Sequence, residues 1–206
     1  MTRAAPAVSI RRMREDDAHG AARLVHMSAA AMYDLTFGDR RRALRFIERS
    51  LGRQGPGPTR EAVWVAERSG RVVGVLLAFA ADAAGDLARR FLWQTLRHTP
   101  PWRWPTILRL ERIGERHAPR PQPGSFYVDA LATDPAHRRA GVAAALLAHA
   151  ERHALAAGFD AVSLDTAEGN EGAAALYRSA GYSLVERVPA HPPIPPAIRF
   201  VKELGQ

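Results

Sequence analysis

The residues best suited to chemistry in this chain are six in a row, Arg138-Arg139-Ala140-Gly141-Val142-Ala143. They follow an apolar stretch, "SFYVDALATDP", and lead into "VAAALLAHAE", which repeats with helical spacing. A glycine at a strand-to-helix turn lets the backbone bend sharply and come close to a ligand. The helix that starts there offers N–H groups without an internal acceptor and a partial positive charge, which together favour an anion. Arg138 and Arg139 add charge beside it, and Ala140, Ala143 and Ala144 keep the approach open. The pattern predicts a turn that holds a diphosphate. The plainer alternative is that Gly141 only makes the turn. Neither G-x-x-x-x-G-K-[ST] nor a G-x-G-x-x-G after the first strand is present, so two familiar phosphate loops are excluded.

A second constellation lies downstream in "NEGAAALYRSAGY", Asn170 to Tyr182. Asn170 stands where a helix N-cap belongs. Together the two stretches resemble the GNAT superfamily of acetyl-CoA-dependent N-acetyltransferases. Arg138-x-x-Gly141-x-Ala143 is similar to that family's acyl-CoA-binding turn. Asn170, Ala173, Leu176, Tyr177, Gly181 and Tyr182 match its second motif, and the gap between the two fits a helix plus a strand. The resemblance is close over 125–188. Over the first 80 residues it is one of element order only.

The resemblance implies a reaction in which an amine attacks the thioester of acetyl-CoA in a ternary complex, with no metal. It implies that backbone amides of Arg139 to Ala144, including Val142, bind the diphosphate. It implies that the backbone of Leu131, Ala132 and Thr133 pairs with the pantetheine arm and that an amide nearby polarises the carbonyl. Tyr177 would be the acid that reprotonates the thiolate, or simply pack under its helix with Leu176. Asn170 would bind the cofactor arm, cap the helix, or both. For the base, Asp129 shares a strand face with Leu131 and Thr133 if the alternation is regular. An apolar wall could raise its pKa into a useful range. A hydrogen-bonded strand aspartate, a water chain, or Asp165 on the next strand are the alternatives. The acceptor is a small-molecule or peptide amine, and a homodimer is among the assemblies the family uses. A non-catalytic CoA-binding or regulatory module of the same fold is the competing reading.

The elements needed to position these residues can be read along the chain. Alternation predicts a strand over Val8–Met13. Asp16 or Asp17 can cap one helix carrying Leu24, Val25, Met32 and Leu35, and a second helix follows with Leu44, Ile47 and Leu51 on one face. "GRQGPGPT" offers no regular structure. Val63–Glu67 and Val72–Ala80 form a hairpin around Ser69–Gly70. Two arginine-rich helices fill 82–124, an insertion too short for its own core. Strand, turn, helix to about Ala157, strand, short helix and two final strands complete the order. The expected fold is α/β (α+β): a single GNAT-like domain over 1–206 with a mixed, mostly antiparallel sheet of about seven strands flanked by helices.

Composition bounds the rest. The 206 residues include no cysteine, which excludes disulfides, thiolate zinc sites and a cysteine nucleophile. The +8 formal charge is almost all arginine, since Lys202 is the only lysine, and it is scattered, so nucleic acid is not an expected partner. No secretory h-region or membrane-length apolar run is seen, so a cytoplasmic protein without a membrane partner is expected. His149 and His153 have ligand spacing but lack H-E-x-x-H and a third ligand. Tyr33, Trp93, Trp102 and Trp104 are candidates to line an acceptor pocket. If the insertion faces that pocket, its arginines Arg89, Arg90, Arg109 and Arg112 would favour an acceptor bearing a carboxylate or phosphate.

Overall fold

The computed structural model describes residues 8–52 and 62–205. Most of "GRQGPGPT" therefore lies outside the described residues. Seven strands form one sheet: β1 (Ser9–Arg12), β2 (Val63–Arg68), β3 (Arg71–Ala80), β4 (Phe126–Thr133), β5 (Ala161–Ala167), β6 (Ser183–Val188) and β7 (Ala197–Glu203), in spatial order β1-β2-β3-β4-β5-β7-β6. All neighbours are antiparallel except β4 and β5. Among the described residues seven α-helices accompany it: α1 (Ala18–Ser28), α2 (Ala30–Phe37), α3 (Arg40–Gly52), α4 (Ala84–His98), α5 (Trp104–His117), α6 (Val142–Ala156) and α7 (Glu171–Ser179).

Strand alternation sorts side chains to two faces. On one face Trp64, Leu76, Ala78, Phe126, Val128, Val162, Leu164 and Phe200 pack against α6 and α7. On the other, Val63, Val65, Val75, Leu77, Ala130 and Ala132 pack against α1 and α3. α6 buries Val142, Leu146, Leu147, Ala150 and Ala154, a stripe of one face, and its many alanines let it lie close to the sheet. Gly74 makes the closest approach. A Cβ built there would stand 2.7 Å from Val142 Cγ1 and 2.9 Å from Leu146 Cδ1, so the start of α6 is seated on a residue with no side chain.

The expected first helix is two. Ala29, at φ −145° and ψ 44°, breaks it, and the Ser28 hydroxyl bonds back to the Val25 carbonyl at 2.7 Å. The axis therefore changes after Ser28. Leu24 and Val25 stay buried, while Leu35 on the second piece turns outward. Asp17 does not cap α1 with its side chain. Its carboxylate accepts the Arg14 N–H at 2.7 Å and pairs with Arg11, which also holds Glu67.

Gly74→Ala is expected to lower stability by about 1–3 kcal/mol, because backbone and core side chains must shift to admit one methyl group. Urea unfolding should show a lower midpoint at an unchanged slope.

Candidate functional site

The sequence-predicted turn is open. Gly141 caps α6 with φ 76°, a left-handed conformation that favours glycine, and a Cβ there would meet nothing within 4 Å. Arg139 is also left-handed, at φ 59°. The first helical bond runs from Ala145 N–H to Gly141 O at 2.9 Å. The amides of Val142, Ala143 and Ala144 thus have no acceptor in the helix, and no side chain caps them. The nearby Asp134 carboxylate is spent on Ala136 N–H, at 2.9 Å. Arg138, Arg139, Ala140, Gly141 and Ala144 are exposed, whereas Val142 is buried on Gly74.

The strand leading to this turn loses its neighbour. β4 and β5 pair only at Phe126–Val162, Tyr127–Ser163 and Val128–Leu164. From Asp129 to Thr133 no described strand pairs with that flank of β4. On the other flank the register to β3 slips at the same place: Leu77 faces Ala130 but Ala78 faces Val128. Asp129 is the extra residue, a β-bulge. Beyond it, Asp134 N–H donates to Val73 O at 2.9 Å. Antiparallel alternation then makes Ala130 and Ala132 hydrogen-bonded partners of Leu77 and Val75. The backbone groups of Leu131 and Thr133 point away from β3, into the opening. Those of Ala132 point toward β3, contrary to the expectation that all three residues face the gap.

The bulge also overturns the expected shared face. Leu131 packs with the α6 cluster, but Asp129 projects to the other side. There it lines a cavity of about 420 Å³ between α1, α2, α3, α4 and the floor of β3 and β4. Asp129 keeps exposed surface, so a small molecule can reach it, while the sheet and helices that line the cavity surround its carboxylate. That enclosure, reinforced by the negative charge of Asp165, pushes the Asp129 carboxyl up to about 6. Tyr33 also lines the cavity, and burial and the Asp129 charge push its phenol up.

Asp165 is committed elsewhere. It accepts Tyr127 Oη at 3.1 Å and Arg199 Nε at 3.3 Å, and Arg199 holds Glu186 with its other arm. Burial still raises its carboxyl, with Arg199 opposing. Tyr177 lies on the opposite face, buried with its ring 5.5 Å from Phe200 and 6.2 Å from Tyr182. Burial, then Asp165, push its phenol up to about 12. Asn170 caps α7: its side-chain oxygen accepts Ala173 N–H at 3.3 Å, and its amide donates to Thr166 Oγ1 at 3.1 Å.

These features coincide with the family comparison. The sequence profile of the Acetyltransferase (GNAT) family matches residues 29–182. The chain belongs to this family. It is an acetyltransferase, and GNAT members normally draw the acetyl group from acetyl-CoA. No curated protein sequence matches it. Its fold is shared by an N-acetyltransferase from Staphylococcus aureus Mu50, with TM-score 0.73, 19% identity and coverage of 94% of this chain and 100% of that one. A second acetyltransferase crystal structure gives TM-score 0.72 at 20% identity, over 96% and 100%. The polyamine N-acetyltransferase of Drosophila melanogaster, which forms N-acetylagmatine, gives TM-score 0.56 at 16% identity, over 96% and 100%.

In this GNAT chain the aromatic expectation divides. Tyr33 lines the cavity, but Trp93, Trp102 and Trp104 do not; the first two are 73% and 78% exposed. The arginines named in the insertion, Arg89, Arg90, Arg109 and Arg112, are exposed and do not line the cavity. The insertion contributes Ala84, Leu87, Ala88, Phe91, Glu111, Pro119 and Pro121 instead, so its charge does not favour an anionic acceptor there. His149 and His153 pack edgewise on Trp64, with ring centroids 5.7 and 4.9 Å away. Sequence reasoning missed Tyr127 and Glu111. Tyr127 stands two before Asp129, a signal that was there to use. Glu111 has no local signal. Another hollow, about 560 Å³ between the end of α6 and β7, contains a Lys202–Glu151 pair at 2.7 Å and lies away from these residues. No helix among the described residues is long and apolar enough to cross a membrane.

Because the folded protein raises Asp129 from 3.8 to about 6, it holds the proton more tightly than the unfolded chain. Stability therefore falls as pH rises through that window. Asp129→Asn is expected to melt higher than wild type above about pH 6 and equally near about pH 4. Thermal denaturation at both pH values checks this.

Proposed function

We propose that this protein transfers the acetyl group of acetyl-CoA to a primary amine by direct attack in a ternary complex. The observation that carries the proposal is the junction at Asp129. One residue ends the β4–β5 pairing, opens the flank that leads to the α6 turn, and lines the cavity on the other face.

The residues fit the cosubstrate. The uncapped amides of Val142, Ala143 and Ala144, with Arg139, Ala140 and Gly141, suit a diphosphate. Arg138 and Arg139 supply charge at its rim. The outward backbone groups of Leu131 and Thr133 suit an extended amide-bearing arm, with Ala132 contributing through the strand it holds in place. When bound, acetyl-CoA supplies a thioester whose carbonyl carbon the amine attacks, the C–N bond forming as C–S breaks.

The chain's own groups manage the protons. An alkyl ammonium is not a nucleophile, so Asp129 takes one proton from it; a carboxylate of pKa about 6 is ionised at neutral pH and is a stronger base than an ordinary aspartate. Tyr177, near 12, stays protonated and donates a hydrogen bond to the departing sulfur. A thiolate, ordinarily near about 8.5, is a weaker base than tyrosinate. Tyr177 therefore acts as a relay: the second N–H proton, shed as the nitrogen becomes an amide, reaches the sulfur through water and Tyr177, and only the proton taken by Asp129 is released to solvent. Asn170 supports it by capping α7.

Titration calorimetry with acetyl-CoA tests the cradle. Gly141→Trp is expected to abolish binding, while Gly141→Ala, with the same backbone strain and little bulk, is expected to retain it. Binding by Gly141→Trp equal to wild type would remove the diphosphate site from this turn. Acetyl transfer by wild type is expected to rise with pH through an apparent pKa of about 6. Asp129→Asn should lose that limb and about 10²–10⁴-fold in kcat. Tyr177→Phe should lower kcat with acetyl-CoA affinity retained. A non-catalytic CoA-binding module would bind acetyl-CoA and release no thiol with any amine.

A further inference from the structure

The cavity differs in character from the surface that surrounds it. The chain carries 29 lysines and arginines against 21 acids, yet among the described residues no lysine, arginine or histidine lines this space. Its walls are Phe46, Phe79, Phe91, Leu77 and Leu87 with their neighbours, and its charged residues are Asp129 and Glu111. The two arrive from independent elements, β4 and the insertion helix α5. Burial, then the neighbouring Glu115, raise the carboxyl of the half-buried Glu111. The tyrosines add donors but no positive charge.

Among the described residues that line this space, an acid group on a ligand would meet no cation. It would lose its water, face two carboxyls of its own sign, and gain no ion pair. An ammonium would find carboxyls on the walls, Asp129 from β4 and Glu111 from α5, and an apolar body would meet aromatic walls. We infer that the acceptor is a hydrophobic primary amine of aromatic-ring size that bears no carboxylate or phosphate, and that Glu111 on the insertion helps select it. The conclusion rests on the acetyl-transfer reading above and names the acceptor class for it. About 420 Å³ lies within the range of about 300–1,000 Å³ that small-molecule pockets occupy. Glu111 is a specificity residue, separate from the proton transfer assigned to Asp129.

The test uses three amines. 2-Phenylethylamine and phenylalanine share a body and differ by one carboxylate; O-phosphoethanolamine carries a phosphate and no ring. Thiol release from acetyl-CoA is measured for each, and direct calorimetric binding of each is measured without acetyl-CoA. 2-Phenylethylamine is expected to exceed both others in kcat/KM by about 100-fold or more. Glu111→Gln is expected to lower kcat/KM for 2-phenylethylamine several-fold, mainly through KM, while the acetyl-CoA titration is unchanged. Ala88→Arg places a cation on the exposed, cavity-lining face of α4 and is expected to narrow the gap between 2-phenylethylamine and phenylalanine. Equal or better use of phenylalanine or O-phosphoethanolamine by wild type would overturn the acceptor class and leave acetyl transfer standing. Failure to bind acetyl-CoA, with the amine preference intact in direct binding, would overturn the acetyl-transfer reading and leave the cavity's selectivity standing. An unchanged KM in Glu111→Gln would remove Glu111 from the selection.

Discussion

β4 carries one residue more than β3 can pair, and the site depends on that surplus. A strand in perfect register would alternate through Phe126, Val128, Ala130 and Ala132 on a single face. Instead Phe126 and Val128 pack under α6, and Ala130 and Ala132 pack under α1 and α3. Asp129 occupies the step between them. The same step turns the strand away from β5, so pairing ends at Val128–Leu164. One irregularity thereby opens a backbone flank on one side and delivers a carboxylate to a cavity on the other. Moving it by a single residue would put a different side chain in the cavity and reverse which amides face the gap.

The acids of the site are divided by their partners rather than their type. Asp165 is tied by Tyr127 and Arg199, and Arg199 is itself tied to Glu186. That cluster stiffens the strands below the opening. Asp129 faces the cavity and feels Asp165 as a second negative charge. Tyr177 is on the far face, on the side of α6, where its buried phenol holds its proton. Asp129 and Tyr177, the proposed base and relay, thus stand on opposite faces of the sheet, on either side of the gap between β4 and β5.

Features set by local chemistry were legible in the sequence. Asn170 caps its helix as its type and position require, and Gly141 adopts the left-handed conformation that the turn needs. Alternation and glycine positions located all seven strands to within a residue or two. What escaped is tertiary. "FYVDALAT" alternates without a visible fault, so the bulge, which belongs to the pairing with β3, leaves no mark in it. The alanine-rich run across Ala29 reads as one helix because alanine favours helix everywhere. Residue type suggested the tryptophans of the insertion for the pocket, but burial was settled by which side of α4 and α5 meets the body. The arginines misled in the same way: net charge says what a segment carries, not where it points.

The insertion is joined to the sheet in a manner that separates two properties. Ala81 N–H donates to Ser125 O at 2.9 Å, closing its base just beyond the last β3–β4 pair, Ala80–Phe126. α4 and α5 therefore stand on a hairpin whose ends are already fastened. The entropy of closing a loop grows only with the logarithm of its length, so residues can be gained or lost above that fastening at small cost to the sheet. A lineage could rebuild the roof of the cavity repeatedly while the floor, the bulge and the α6 turn remained as they are. Change in what the enzyme accepts would then be expected to accumulate over Asp82–Gly124, and change in how it reacts would be confined to the strands beneath.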